Sequence, residues 1–255
     1  MNNYKAYCFD LDGTVYRGKE GIETAVKFIQ NLQKNNLEYY FVTNNSSKTP
    51  AQLQEALRNI GLIVEEERIY SSSLATAKYV ANHYPEAKIH TIGSDGLRFA
   101  LKSVGFNHIE DDNPDVVVMG IDRMIDYQKL SKACLAVQRG AKLIGTNEDV
   151  KFPDEKGFVP GNGSFVRLVA NVAAVDPIFI GKPSPVMLEV IQKEHGLDRK
   201  EMVMIGDNYD TDILCGIRFG CDTIHVNTGV TNTEMVQQKE EQPTYCIENL
   251  DFFNI

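Results

Sequence analysis

Asp10-Leu11-Asp12-Gly13-Thr14-Val15, set directly behind the apolar run Ala6-Tyr7-Cys8-Phe9, decides how this chain is read. Four apolar residues bounded by polar ones read as a buried strand. Two carboxylates two positions apart, followed by glycine, put both acids in one loop at the end of that strand. A carboxylate so placed can act as a nucleophile, and its neighbour as an acid or base. Alone, the same string is also what a polar turn after a strand looks like. Three later segments change the odds: Thr43-Asn44-Asn45, Gly181-Lys182-Pro183 and Gly206-Asp207-Asn208-Tyr209-Asp210-Thr211-Asp212. Each of them also follows an apolar run.

Outward from these segments, strand and helix patterns alternate. Strands are predicted at Tyr4–Phe9, Tyr39–Val42, Lys88–Ile92, Val116–Met119, Lys142–Gly145, Ile178–Ile180, Met202–Ile205 and Thr223–Val226. Between them Val26, Ile29 and Leu32 form a helical stripe, as do Leu53, Leu57 and Ile60 behind Pro50, a proline suited to a first helical turn. Such alternation predicts an α/β fold with a doubly wound parallel sheet. From Asp10 to Thr43 the chain runs 33 residues, and from Lys182 to Asp207 it runs 25, each about one strand-helix-strand unit. From Thr43 to Lys182 it runs 139, far more than one crossover needs. If both meet at one site, the stretch between must fold as a body of its own. The expected division is a discontinuous core of residues 1–76 and 179–255 around an inserted α/β domain, residues 77–178.

Of 255 residues, 43% are hydrophobic and 24% charged, values ordinary for a globular protein. A net charge of -9 with no Lys/Arg cluster argues against nucleic acid as a partner. No apolar run is long enough to span a bilayer, and an acidic loop by Asp10 leaves no room for a secretory segment. A cytoplasmic protein without membrane association is the expectation. The five cysteines are scattered, with no C-x-x-C pair and no histidine at zinc-finger spacing.

In open parallel sheets, ligands bind at the carboxyl ends of strands, where the four segments can converge. Asp10, Asp12 and Asp207 would then gather three negative groups, a costly arrangement without a hard cation among them. An all-oxygen set favours Mg²⁺. Thr43 and Asn44 offer neutral donors and Lys182 a positive charge, both suited to phosphoryl oxygens. Each segment also has a plainer reading: Lys182 as a turn lysine, Thr43-Asn44-Asn45 as a helix cap, Asp210 and Asp212 as partners of a helix dipole. No P-loop and no calcium-loop spacing is present.

Taken together, Asp10-x-Asp12-Gly13-Thr14, Thr43-Asn44-Asn45, Gly181-Lys182-Pro183 and Gly206-Asp207-Asn208-x-x-Thr211-Asp212 resemble the haloacid dehalogenase (HAD) superfamily. Asp-Leu-Asp-Gly-Thr-Val-Tyr, Thr-Asn-Asn and the late insertion resemble its NagD, or p-nitrophenylphosphatase-like, branch. The resemblance implies a Rossmann-like core and a cap domain over the site. It implies a Mg²⁺-dependent phosphomonoester hydrolase working through an aspartyl-phosphate on a small phosphorylated metabolite: a sugar-acid or sugar phosphate, or a nucleoside monophosphate. Asp10 would be the nucleophile and Asp12 the acid/base. Mg²⁺ would be held by the Asp10 carboxylate, the Asp12 carbonyl and Asp207. Phosphate would be bound by Thr43, Asn44 and Lys182, with Asp212 and Asn208 supporting the site from behind. The segments around Asn147, Asp149 and Asn162 resemble the branch's cap side, and these three are the expected substrate contacts. Arg123, Arg139 and Arg167 lie in the insertion, and none of them is an obvious carboxylate-binding arginine. The competing functions are a phosphotransferase or mutase sharing the same intermediate, and a non-enzymatic phosphoacceptor or binding module.

Overall fold

The computed structural model describes residues 4–154 and 156–253. In chain order it forms β1 (Ala6–Phe9), a small hairpin of β2 (Tyr16–Arg17) and β3 (Glu20–Gly21), α1 (Glu23–Lys34), β4 (Glu38–Thr43), α2 (Pro50–Asn59) and β5 (Ile69–Ser71). There follow α3 (Ser72–His83), β6 (Ile89–Ile92), α4 (Asp95–Ser103), β7 (Val116–Met119), α5 (Tyr127–Gln138) and β8 (Lys142–Gly145). A second hairpin, β9 (Lys151–Asp154) and β10 (Gly157–Pro160), leads into α6 (Asn162–Ala173) and β11 (Ile178–Phe179). The last part holds α7 (Val186–His195), β12 (Met202–Gly206), a π-helical turn Tyr209–Ile213, α8 (Leu214–Phe219), β13 (Asp222–Val226), α9 (Thr233–Gln237) and β14 (Tyr245–Ile247). No helix among the described residues is long and apolar enough to cross a membrane.

The chain divides into two compact units. One comprises Met1–Thr43, Pro50–Tyr70 and Lys182–Ile255, and the other Asn44–Thr49 and Ser71–Gly181. The second takes in more of the chain than residues 77–178. It begins with α3, which packs against α4 and is capped by the Ser71 hydroxyl accepting from the Leu74 N–H. It also claims the loop after β4: the Gly96 N–H donates to Ser47 O at 3.0 Å, and the Ile121 N–H donates to Ser46 Oγ at 3.1 Å.

The first unit carries a six-stranded sheet ordered β14-β13-β12-β1-β4-β5. β1 lies between β12 and β4, parallel to both, with Phe9 opposite Ile205 and Phe41. Buried on both faces, these strands read as continuous apolar runs without alternation. Tyr7, Phe9 and Phe41 pack with Phe28, Ile29 and Leu32 of α1, whose apolar positions fall on one helical face. The second unit is a four-stranded parallel sheet, β11-β8-β7-β6. Its core joins Val117 and Met119 to Ala133 and Val137 of α5 and to Val166 and Val169 of α6.

Lys182 follows a strand, as the sequence predicts, but that strand, β11, belongs to the second unit's sheet. The chain leaves that unit at Gly181, and Lys182 opens the segment returning to the first. Its position is set by the contacts of its own side chain.

Candidate active site

β1, β4 and β12 run parallel, so Asp10, Thr43 and Asp207 arrive at the same edge of one sheet. The Asp10 N–H donates to Ile205 O at 2.9 Å, continuing the ladder to that edge. Asp10 is 8% exposed and Asp207 fully buried. The side chain of Lys182, 1% exposed, places Nζ 2.5 Å from Asp10 Oδ1, 2.8 Å from Asp212 Oδ1 and 2.7 Å from Val42 O. Burying an ammonium is costly unless it is paired and hydrogen-bonded, and here all three donors have acceptors.

Asp212 reaches this point because the Tyr209–Ile213 turn winds directly from β12. Asn208 caps the turn, its Oδ1 accepting from the Asp210 N–H at 3.1 Å. The Asn208 N–H donates to Asp212 Oδ2 at 3.0 Å, and the Thr211 hydroxyl donates to Oδ1 at 3.1 Å. Asp212 is therefore held from its own turn while it faces Lys182.

Asp207 is held from two sides, by Thr14 of the Asp-x-Asp-Gly-Thr motif and by a loop, residues 228–231, that carried no motif. Thr14 Oγ1 donates to its Oδ1 at 2.9 Å, and the Val230 N–H donates to Oδ2 at 2.7 Å. Thr231 adds an N–H bond to Asp207 O at 3.1 Å, and its hydroxyl accepts from the Tyr209 N–H at 3.0 Å. Gly13 lies so close that a Cβ there would stand 2.6 Å from the Asp207 carboxylate, and its φ of 95° is one that favours glycine. The signal for the 228–231 loop was its place alone: it follows β13, a strand of the same sheet.

One carboxylate oxygen from each of Asp10, Asp207 and Asp212 lies within 4.8 Å of the others. Burial first, then the charge of Asp212, push the Asp10 carboxyl well above its ordinary range, with Lys182 pulling the other way. Burial and Asp212 likewise push Asp207 up to about 6, opposed by the Val230 N–H and Thr14. Burial works to lower the Lys182 pKa, but Asp10 and Asp212 outweigh it and hold the ammonium charged. Three carboxylates against one lysine leave an excess of negative charge, and the donors are all oxygen. That set fits Mg²⁺. Asp12 stands apart from the cluster: its side chain is exposed, and its backbone bridges to Tyr16. Thr43, at the end of β4, is buried.

In the second unit, Asn44, Asn147 and Asp149 brace one another. Asp149 Oδ2 accepts from Asn44 Nδ2 at 3.1 Å and from Asn147 Nδ2 at 2.9 Å, and Asn147 Nδ2 also donates to Asn44 O at 3.0 Å. Asn162 differs from what was expected of a substrate contact. It is 2% exposed, and its amide nitrogen donates to Met119 O at 3.0 Å and Thr146 Oγ1 at 3.2 Å, tying α6 to β7 and β8. Arg167 pairs with Glu148 at 2.8 Å, Arg139 donates to Asp112 O, and Arg123 lies over the Phe152 ring.

Comparison with known proteins gives the family. Residues 7–107 match the family described as haloacid dehalogenase-like hydrolase, and residues 179–252 match a HAD-hydrolase-like family. The acid sugar phosphatase of Staphylococcus epidermidis is 45% identical over 98% of this chain and 97% of its own length. A 5'-nucleotidase of Bacillus subtilis, YutF, is 42% identical with the same coverage. Among solved structures, a double mutant of the thermostable NPPase from Geobacillus stearothermophilus superposes with a TM-score of 0.93 at 46% identity, covering 100% of this chain and 99% of that one. The chain belongs to the haloacid dehalogenase-like hydrolases, in their NagD, or p-nitrophenylphosphatase-like, branch. It is an enzyme of the phosphatase class.

Proposed function

We propose that this chain is a Mg²⁺-dependent phosphomonoesterase that works through an aspartyl-phosphate on Asp10. The observation that carries the reading is the buried constellation of Asp10, Asp207 and Asp212 around Lys182. Mg²⁺ would be held by the Asp10 carboxylate, the Asp12 carbonyl and Asp207, and would offset the repulsion between carboxylate and phosphate. Asp10 Oδ attacks phosphorus as the ester oxygen leaves, and the bond to the leaving alcohol breaks. Asp12, whose exposed carboxylate can exchange protons with solvent, gives a proton to that oxygen. It then takes one from the water that hydrolyses the acyl phosphate, releasing inorganic phosphate and restoring Asp10. Thr43, Asn44 and Lys182 bind the phosphoryl oxygens, with Lys182 kept cationic by the two aspartates it contacts. Asp212 and Asn208 keep Lys182 in place from behind.

The substrate class we infer is a small polar phosphate ester: a sugar or sugar-acid phosphate, or a nucleoside monophosphate. Relatives named for acid sugars and for 5'-nucleotides support that range. The test is phosphate release from a panel of such esters with Mg²⁺, repeated in EDTA. Sugar and nucleoside esters should lead the panel and EDTA should abolish turnover. Preference for large apolar or protein-borne phosphates would contradict the substrate class.

A further inference from the structure

Arg17 sits on the exposed β2–β3 hairpin, outside every segment given a chemical role above. Its guanidinium nevertheless has a defined target: Nε donates to Thr228 O at 2.9 Å, and Nη2 donates to the same oxygen. Thr228 is tied again by its hydroxyl, which donates to Gly13 O at 2.6 Å. Two residues on, the Val230 N–H meets Asp207 Oδ2 at 2.7 Å, and the Thr231 N–H meets Asp207 O at 3.1 Å. The 228–231 loop is thus anchored at one end to the hairpin and the Asp-x-Asp-Gly loop, and at the other to the Asp207 carboxylate. Gly229 between them packs against the Asp207 side chain too closely for any Cβ.

We propose that Arg17 and Thr228 form a latch that positions Asp207 for the cation, acting through the loop between β13 and α9. The proposal rests on Asp207 being a Mg²⁺ ligand, as inferred above. A carboxylate with two oxygens can rotate about its Cβ–Cγ bond. Thr14 fixes one oxygen from the side chain, and a backbone N–H in this loop fixes the other. An N–H donor is as well placed as the loop that carries it. Two donors from an arginine fork hold the Thr228 carbonyl in direction as well as distance, which a single ammonium cannot do. Because Arg17 is exposed, its contribution to global stability should be small. Its effect should fall instead on the ligand geometry, as outer partners of metal ligands do.

The test is Mg²⁺ binding by calorimetry, and the melting temperature in EDTA, for the wild type, Arg17→Ala, Arg17→Lys and Thr228→Val. The latch predicts an Mg²⁺ dissociation constant about five- to tenfold higher for Arg17→Ala and Thr228→Val. Arg17→Lys should fall between Arg17→Ala and the wild type, and the melting temperature of Arg17→Ala in EDTA should stay within a degree or so of wild type. Wild-type affinity in both Arg17→Ala and Thr228→Val would overturn the latch, as would a weakened affinity that tracks lost melting temperature across the set. Absence of Mg²⁺ binding by the wild type would instead overturn the metal assignment on which the latch rests.

Discussion

Lys182 Nζ lies 2.5 Å from Asp10 Oδ1, joining residues that are 172 positions apart in the chain. The same nitrogen is 2.8 Å from Asp212, so one buried cation serves two buried carboxylates. Removing it leaves both uncompensated, and breaking a buried ion pair from one side costs about 3–5 kcal/mol. Lys182→Met should therefore lose about 3 kcal/mol in urea unfolding in EDTA, together with its phosphatase activity. Loss of activity with unchanged stability would contradict a stabilising role for the pairing of Lys182 with Asp10 and Asp212.

The cation and pH should be linked through Asp207. Its carboxyl is raised from the ordinary 3.8 to about 6 in the cation-free protein, so between those values the folded state holds a proton that the unfolded chain has released. The stability from that proton is present below 3.8 and is lost as pH rises through 6. On the proposed reading, Mg²⁺ would take the place of the proton above this window. The gain in melting temperature on adding Mg²⁺ should be large at about pH 7.5 and small at about pH 5. Equal gains at both would contradict the assignment of Asp207.

Gly13 is fixed by close approach and by its backbone. With φ at 95° and a Cβ 2.6 Å from the Asp207 carboxylate, Gly13→Ala must strain the loop or displace that carboxylate. A loss of about 1–3 kcal/mol in unfolding free energy and a weaker response to Mg²⁺ are expected. A variant with native stability and native Mg²⁺ affinity would show that the loop has slack there.

Asn162 should behave as a brace for the second unit. Asn162→Ala removes the donor from two buried acceptors, so a destabilisation of about 1–3 kcal/mol is expected. The ranking of ester substrates should not change. A changed ranking at unchanged stability would restore it as a substrate contact.

The strands that build the first sheet were legible because parallel strands covered on both faces are uninterrupted apolar runs, as at Tyr7-Cys8-Phe9 and Val203-Met204-Ile205. β5 was not, because Ile69-Tyr70-Ser71 is too short to show a period and owes its strand conformation to β4 beside it. The hairpins β2–β3 and β9–β10 were missed for a similar reason: β2 and β3 are two residues each, and β10 is largely exposed and carries no apolar stripe. In the site, side chains with their own chemistry could be picked out: Asp10, Asp207 and Lys182. What holds them could not. The Val230 N–H on Asp207 is a backbone donor, and any residue but proline would supply it. Asn162 shows the same limit from the other side: its sequence segment does not reveal that its amide nitrogen donates to Met119 O and Thr146 Oγ1 of its own unit.

The central claim is that Asp10 is the nucleophile, and Asp10→Asn tests it most directly. An amide of nearly the same shape keeps the loop but cannot attack phosphorus as a carboxylate does. Phosphate release should be measured at saturating Mg²⁺ and ester, with the fold checked by circular dichroism. The account predicts a fall of about a thousandfold or more in a folded protein. Retention of more than about a hundredth of the wild-type rate would contradict it.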